Sequence, residues 1–281
     1  MSLLFKIKAL NNFVDKKNFY DLFCNNFHIG LVHKKIANLI LKHKLPYTLQ
    51  NKSIFLKETK KKHLNITLKN TCELLVEKQI ISEVTGENFP CVTSLGKKEL
   101  FVLERSLVEY LGIRGYGVHL IAYVRTGKSN IKVWIPKRAA NKKVEPNKLD
   151  NTIAGGISAG ETVYQALIRE GFEEASFKKK ILNRAVQVGT INYTWRNKKF
   201  SLRRDTLFLF DLEISNKILP ENNDGEVSKF NLYSSTKIIE KIKNTNDFKK
   251  NCALVLTSFF IRRGLINSKN EKDYEEICRL L

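Results

Sequence analysis

Residues 151–177 constrain the chain more than any other segment. Asn151 to Ala154 reads as a strand that runs into a Gly155-Gly156 turn, and a helix is expected to begin near Glu161 or Thr162. Projected at 100° per residue, Val163, Ala166, Leu167 and Phe177 fall on one stripe, and Glu170, Glu173 and Glu174 fall on that same stripe. Gln165, Arg169 and Ser176 are left for the solvated face. Three carboxylates on an otherwise apolar stripe repel one another and resist loss of water. A bound cation removes both penalties. Oxygen donors at i, i+3 and i+4 suit Mg²⁺ or Mn²⁺, which keep some waters and bridge to phosphate oxygens. Arg169 stands four residues before Glu173 and is placed to brace it. A charged helix whose acids cluster by chance is the plain alternative, and spacing alone leaves both open.

The residue pattern goes further. Gly155, Glu161, Arg169, Glu170, Glu173, Glu174 and Phe177 fit the spacing G-x5-E-x7-R-E-U-x-E-E-x-G-U, with U a bulky apolar residue. A chance match to six such glycine or charged positions is on the order of one in 10⁵ for a chain of this length. The segment resembles the box of the Nudix hydrolases. That resemblance implies metal-dependent cleavage of a diphosphate linkage, with Mg²⁺ or Mn²⁺ as cofactor. It also implies an α/β fold, a Nudix α/β/α sandwich with a mixed sheet. Residue by residue, it implies Glu170, Glu173 and Glu174 as metal ligands, with the carbonyl of Ala154 completing the set. Arg169 and Glu161 take supporting catalytic positions. Two residues depart from the pattern: Gly171 replaces the apolar U, and Ser176 replaces a glycine. Gly171 is expected to weaken the helix by about 1 kcal/mol relative to alanine, and Ser176 to alter the exit from the helix.

Four further segments narrow the resemblance: Leu149–Gly156, Glu173–Ser176, Asp224–Val227 and Asn251–Val255. They are similar to Nudix proteins related in name to thiamine pyrophosphokinase, which carry an extra N-terminal domain of unassigned function. This implies hydrolysis of thiamine diphosphate-like compounds, oxidised forms included, to the monophosphate. The box itself reads diphosphate and metal, so a nucleoside diphosphate derivative such as ADP-ribose or a dinucleotide stays open. So does a non-catalytic RNA-binding protein on the same scaffold, although three intact acids beside ligand phosphates argue against it.

Diphosphate hydrolysis needs a base to take a proton from water. Glu226, in the loop Pro220–Glu226, is the first candidate, and Glu174 the second. For substrate binding, Arg203 and Arg204 precede a strand and are candidates for phosphate contact. Trp134, with Tyr193 and Trp195, is a candidate for stacking on a heterocycle, against a plain core role for each. His119 lies in a strand and reads as a satisfied core residue.

Elsewhere the chain is read more coarsely. Residues 1–50 show helical periodicity, with Leu31, Val32, Ile36, Leu39 and Ile40 on an apolar face. A short strand is expected at Ile54–Leu56 and a helix at Thr71–Ser82, with loop or turn over 86–96. Strands are expected over Gly115–Val124, Ile131–Ile135 and Thr206–Leu212, with a turn at Gly127–Asn130. Helix is expected over 235–263, broken near Asn244–Asp247. The expected division is a smaller α+β domain over 1–108 and the Nudix domain over 109–281, α+β overall.

With 281 residues, 43% of them hydrophobic, the chain can bury real cores. The five cysteines are scattered and contain no C-x-x-C pair, so neither a disulfide framework nor a zinc site is expected. No secretory leader, transit peptide or membrane span is read, and the expected location is the cytoplasm. The net charge of +21 suits phosphorylated ligands, but the lysines form short clusters without interleaved aromatics. The expected partner is a small diphosphate substrate, with nucleic acid not expected. The sequence does not set the oligomeric state.

Overall fold

A computed structural model describes residues 2–127, 130–142, 144–196 and 198–281. Lys128 and Ser129, in the expected 127–130 turn, lie outside the described residues. The chain begins with α1 (Leu3–Leu10), followed by β1 (Phe19–Cys24), β2 (Phe27–His33), α2 (Lys34–Lys42), β3 (Tyr47–Gln50), β4 (Ser53–Leu56) and α3 (Lys61–Glu77). Strands β1–β4 form one sheet in the order β2-β1-β4-β3. Its hairpins turn on Asn25-Asn26 and Asn51-Lys52, all four with positive φ. This is the backbone that two-residue hairpins demand and that asparagine tolerates well. Leu31 and Val32 thus belong to a strand, not to the helical face expected from periodicity. Helix α3 begins ten residues before the expected helix and ends at Glu77.

Next come β5 (Asn88–Cys91), β6 (Phe101–Glu104) and α4 (Arg105–Val108). Strand β5 lies inside the 86–96 stretch where loop was expected, with Pro90 in a two-stranded ladder that leaves it an open edge. Leu107, Val108, Tyr110, Leu111 and Ile113 share one core with Leu22, Ile36, Leu68 and Phe101. Residues on both sides of the expected 108/109 boundary therefore pack together.

The larger unit holds β7 (Arg114–Arg125), β8 (Ile131–Arg138), β9 (Ile153–Gly156), α5 (Val163–Ala175), α6 (Lys179–Leu182), β10 (Val186–Trp195), β11 (Arg203–Glu213), β12 (Val227–Ser234), α7 (Ser235–Asn244), α8 (Lys250–Arg262) and α9 (Tyr274–Leu280). Its sheet runs β10-β11-β7-β8-β12, with β9 pairing β7. Strands β7 and β11 are parallel and the other pairs antiparallel, so the sheet is mixed as expected.

Strand β7 is buried on both faces. Val118, Leu120 and Ala122 pack with Ala166, Leu167 and Ala175 of α5. Ile121 and Tyr123 pack with Leu254 and Phe259 of α8. Helices thus cover both faces, in an α/β/α sandwich. Leu3, Ile7 and Leu10 of α1 join the α8 side, so the first helix of the chain packs in the core of the second unit. Among the described residues no helix is long and apolar enough to cross a membrane.

Candidate active site

Thr162 starts α5. Its hydroxyl accepts from Gln165 N (3.2 Å), and the Gln165 side chain accepts from Thr162 N (2.9 Å), a reciprocal cap. The helix lies on the sheet through Ala166, Leu167 and Ala175, all fully buried. Glu174 follows the same face. It is 7% exposed, and its carboxylate accepts from Ala154 N at 2.8 Å. Glu170, with a side chain 13% exposed, rests on the α-carbon of Gly155. A Cβ there would stand 1.8 Å from the Glu170 carboxyl carbon, so only glycine fits. The strand–glycine–helix arrangement therefore seats two acids beside β9.

Arg169 is not on the solvated face expected from the helical projection. Its long stem lets the guanidinium fold over the loop between β9 and α5. Nε and Nη2 donate to the two Glu161 oxygens (2.7 and 2.9 Å), and Nη2 also donates to Gly156 O (3.0 Å). Nη1 donates to Glu170 (2.7 Å) and Glu173 (3.2 Å). Glu161 in turn accepts from Ser158 N at 3.0 Å. One guanidinium thus ties the loop to three helix positions.

The electrostatics follow from this packing. Arg169 holds Glu161 below its ordinary range. Burial pushes Glu170 up to about 7, against the pull of Arg169. Burial, then the charges of Glu170 and Asp150, push Glu174 well above the usual carboxylate range. Two buried acids whose charged forms burial disfavours suit a shared cation with oxygen preference. The Gly155 cradle and the Ala154–Glu174 contact place them together. Glu173 differs: it is 43% exposed and committed to Arg169. Among the described residues no three acidic, histidine or cysteine side chains converge as a metal set. The residues that fit a divalent ion directly are Glu170 and Glu174.

Residues 114–253 match the family model described as NUDIX domain. This stretch is a Nudix domain. Residues 2–115 match the family model described as a domain of unknown function (DUF4743). Nudix hydrolase 20, chloroplastic, of Arabidopsis thaliana is 36% identical over 198 residues, covering 70% of this chain and 52% of that protein. Nudix hydrolase 24, chloroplastic, of the same plant is 35% identical over 199 residues, covering 70% and 54%. An uncharacterised protein of Saccharomyces cerevisiae is 35% identical over 195 residues, covering 65% and 57%. The chain spans about half the length of the curated relatives it matches. Among solved structures, one from Deinococcus radiodurans has a TM-score of 0.42 at 19% identity, covering 51% of this chain and 82% of that one.

The other residues singled out in the Nudix domain scatter. Glu226 precedes β12, in a loop docked on the end of α5 by Glu221 N to Ala175 O (3.1 Å) and Asn223 N to Glu173 O (3.2 Å). Its carboxylate pairs with Lys142, so the candidate base lies near α5 without touching its acids. Trp134 packs on the α5 side of the sheet, and its buried indole N–H has no protein partner. Arg203 is spent on Asp205 (2.6 Å), which also accepts from Tyr193, on the α8 side. Arg204 donates to Gly112 O (3.1 Å), at the junction with the N-terminal unit. Neither arginine joins the residues gathered at α5. Tyr193 and Trp195 lie in the α8-side core, and His119 pairs with Asn151 (2.7 Å) in the interior.

A buried ionic group was missed. Asp150 accepts from Arg138 (2.8 Å), Lys249 (3.3 Å), Asn151 N (2.9 Å) and the Cys252 thiol (2.7 Å). Burial alone would raise its pKa, but Lys249 and Arg138 hold it well below the usual range. It joins the end of β8, the entry to β9 and the start of α8, and its charge is one of the causes that raise the pKa of Glu174. The segments that hold it, Leu149–Gly156 and Asn251–Val255, stood out in the sequence only for their resemblance, because Asp150 looks like any loop acid until the fold brings Lys249 and Cys252 to it.

Proposed function

We propose that this chain is a divalent-metal-dependent hydrolase of a diphosphate linkage, acting on thiamine diphosphate or its oxidised analogues to give the monophosphate and inorganic phosphate. The observation that carries the reading is the buried Glu170–Glu174 pair on the Gly155 cradle, with Arg169 as its only neighbouring guanidinium brace within α5. Glu170 and Glu174 would hold the metal, and the Ala154 carbonyl and Glu173 are the further oxygen donors that the resemblance implies for it. Mg²⁺ or Mn²⁺ bound there supplies a more acidic water and neutralises charge on the phosphate oxygens. Arg169 and Glu161 keep the loop from Gly156 to Ser158 in place while the acids change partners. Glu226 receives the proton of the attacking water, and Lys142 orients its carboxylate until then. The water oxygen bonds to one phosphorus of the diphosphate as the bond from that phosphorus to the bridging oxygen breaks, which releases the monophosphate and inorganic phosphate.

The thiamine assignment draws support from the segments that resemble that group. Leu149–Gly156 and Asn251–Val255 meet at the Asp150–Cys252 contact, and Glu226 O accepts from Ala139 N one residue beyond Arg138. The test is product release with Mg²⁺ or Mn²⁺ from thiamine diphosphate, its oxidised analogues, ADP-ribose, NADH and a capped RNA. A Glu173→Gln, Glu174→Gln double variant runs alongside. Metal-dependent turnover of the thiamine compounds, lost in the variant, is expected. Turnover of nucleotides alone would keep the chemistry and remove the thiamine substrate. Salt-sensitive RNA binding without turnover, unchanged in the variant, would replace the reading with a binding protein.

A further inference from the structure

The N-terminal unit reaches the Nudix loop through one hairpin. Asn88 O, in β5, accepts from Ala159 N at 2.8 Å. The next residue, Phe89, lays its ring on Gly156, where a Cβ would stand 2.6 Å from the ring Cζ. Val92 and Leu95 pack into the core between α5 and the sheet. Gly156 adjoins Gly155, the seat of Glu170. The hairpin is therefore a wall of the acid cluster.

Arg105, the first residue of α4, sits on that wall. Its guanidinium lies 5.4 Å from the Phe89 ring centre, on the ring that covers Gly156. Nη1 donates to both Glu87 oxygens at 2.9 Å, while among the described residues no partner takes Nε or Nη2. The side chain is 42% exposed, open to a ligand from solvent. Fastening the hairpin does not require this ion pair. Glu104 already accepts from Thr85 N (2.8 Å), Thr85 Oγ1 (2.6 Å) and Gly86 N (3.2 Å), and exposed pairs contribute little to stability.

We infer that the N-terminal unit supplies a substrate-binding residue to the Nudix site: Arg105, posed on Phe89, binds the phosphate groups of the substrate, and Glu87 is its competing internal partner. The inference rests on the diphosphate reading above and gives the N-terminal unit a part in it. A guanidinium offers two parallel donors to a phosphate, and the free Nε and Nη2 provide such an edge.

The test uses the full chain and three variants, Arg105→Gln, Arg105→Lys and Glu87→Gln. For whichever diphosphate is turned over, Arg105→Gln raises KM about ten- to a hundredfold, with kcat changed less. Arg105→Lys recovers part of the loss. Glu87→Gln leaves KM unchanged or lowers it, because it frees the guanidinium. A purely structural ion pair predicts equal damage from Arg105→Gln and Glu87→Gln, and that result would overturn the inference, as would an unchanged KM in Arg105→Gln. Calorimetric titration with inorganic pyrophosphate separates this inference from the hydrolase reading. If the parent turns over nothing, yet binds pyrophosphate at least tenfold more tightly than Arg105→Gln does, the hydrolase reading fails and the Arg105 site stands. If the parent turns over substrate and both proteins bind pyrophosphate alike, the hydrolase reading stands and the Arg105 site fails. Glu87→Gln and Arg105→Lys keep the question decidable should Arg105→Gln not fold.

Discussion

Gly171 and Ser176 show how a departure from a motif is absorbed side chain by side chain. A Cβ at Gly171 would stand 2.6 Å from Leu182 Cδ1 and 3.2 Å from Ile153 Cδ1, so Leu182 of α6 fills the volume a bulky residue would take. Gly171→Leu restores the motif's residue and should still destabilise by about 1–3 kcal/mol, read as a lower denaturation midpoint, because the core is already full. Ser176 ends α5 in the left-handed region (φ 54°), so the chain leaves the helix as a glycine would make it leave. Ser176→Gly should stabilise by about 1 kcal/mol, raising Tm by a few degrees. The acids themselves were legible, since i, i+3, i+4 spacing is a property of the helix. The direction of Arg169 was not, because a projection of Cα positions ignores the reach of a long side chain. Arg203 and Arg204 stood out as charges ahead of a strand, but their partners Asp205 and Gly112 O depend on pairing and on a junction that no local pattern reveals.

At the scale of elements, β7, β8, β11 and the pair α7–α8 were readable because their apolar runs are long and regular. Strand β10 was not, since Val186, Gln187, Gly189 and Thr190 face solvent and only its second half is buried. The β1–β2 hairpin was hidden by an Asn-Asn turn that also reads as ordinary loop. The element that matters most for function is the loop between β9 and α5, with Arg169 folded across it. Arg169→Met would leave Glu161, Glu170 and Glu173 without their shared cation. The expected loss is about 2–3 kcal/mol, below the cost for a fully buried pair because the Arg169 side chain is one-third exposed. Saturating Mg²⁺ should recover part of it in thermal unfolding. An equal loss with and without Mg²⁺ would mean that the acids do not share a metal.

The molecule as a whole is interlocked. Helix α1 packs with α8 and α9, the β5–β6 hairpin walls the Nudix loop, and the stretch through Ile113 completes the N-terminal core. A two-unit division was visible in the sequence, but contacts that span most of the chain leave no local trace. Its acid sensitivity should come from the interior between β7 and α8. Burial, aided by the charge of Lys249, pushes His119 down to about 3. In the unfolded chain the same group titrates near 6.5. Between about pH 6.5 and pH 3 the unfolded state holds more protons, so stability falls as pH drops, by up to about 1.4 kcal/mol per pH unit. Asp150, depressed by Lys249 and Arg138, adds to the loss below about pH 4. His119→Gln should flatten the stability profile between pH 6 and pH 4, and an unchanged slope would assign the sensitivity elsewhere.

Glu170 and Glu174 of α5 are the proposed seat of a divalent cation. Calorimetric titration of Mn²⁺ at pH 7.5 into the parent chain and a Glu170→Gln, Glu174→Gln double variant tests it most directly. Saturable binding in the parent, lost in a variant that still folds, is the predicted result. Equal binding in the two proteins, or none in the parent, would contradict it.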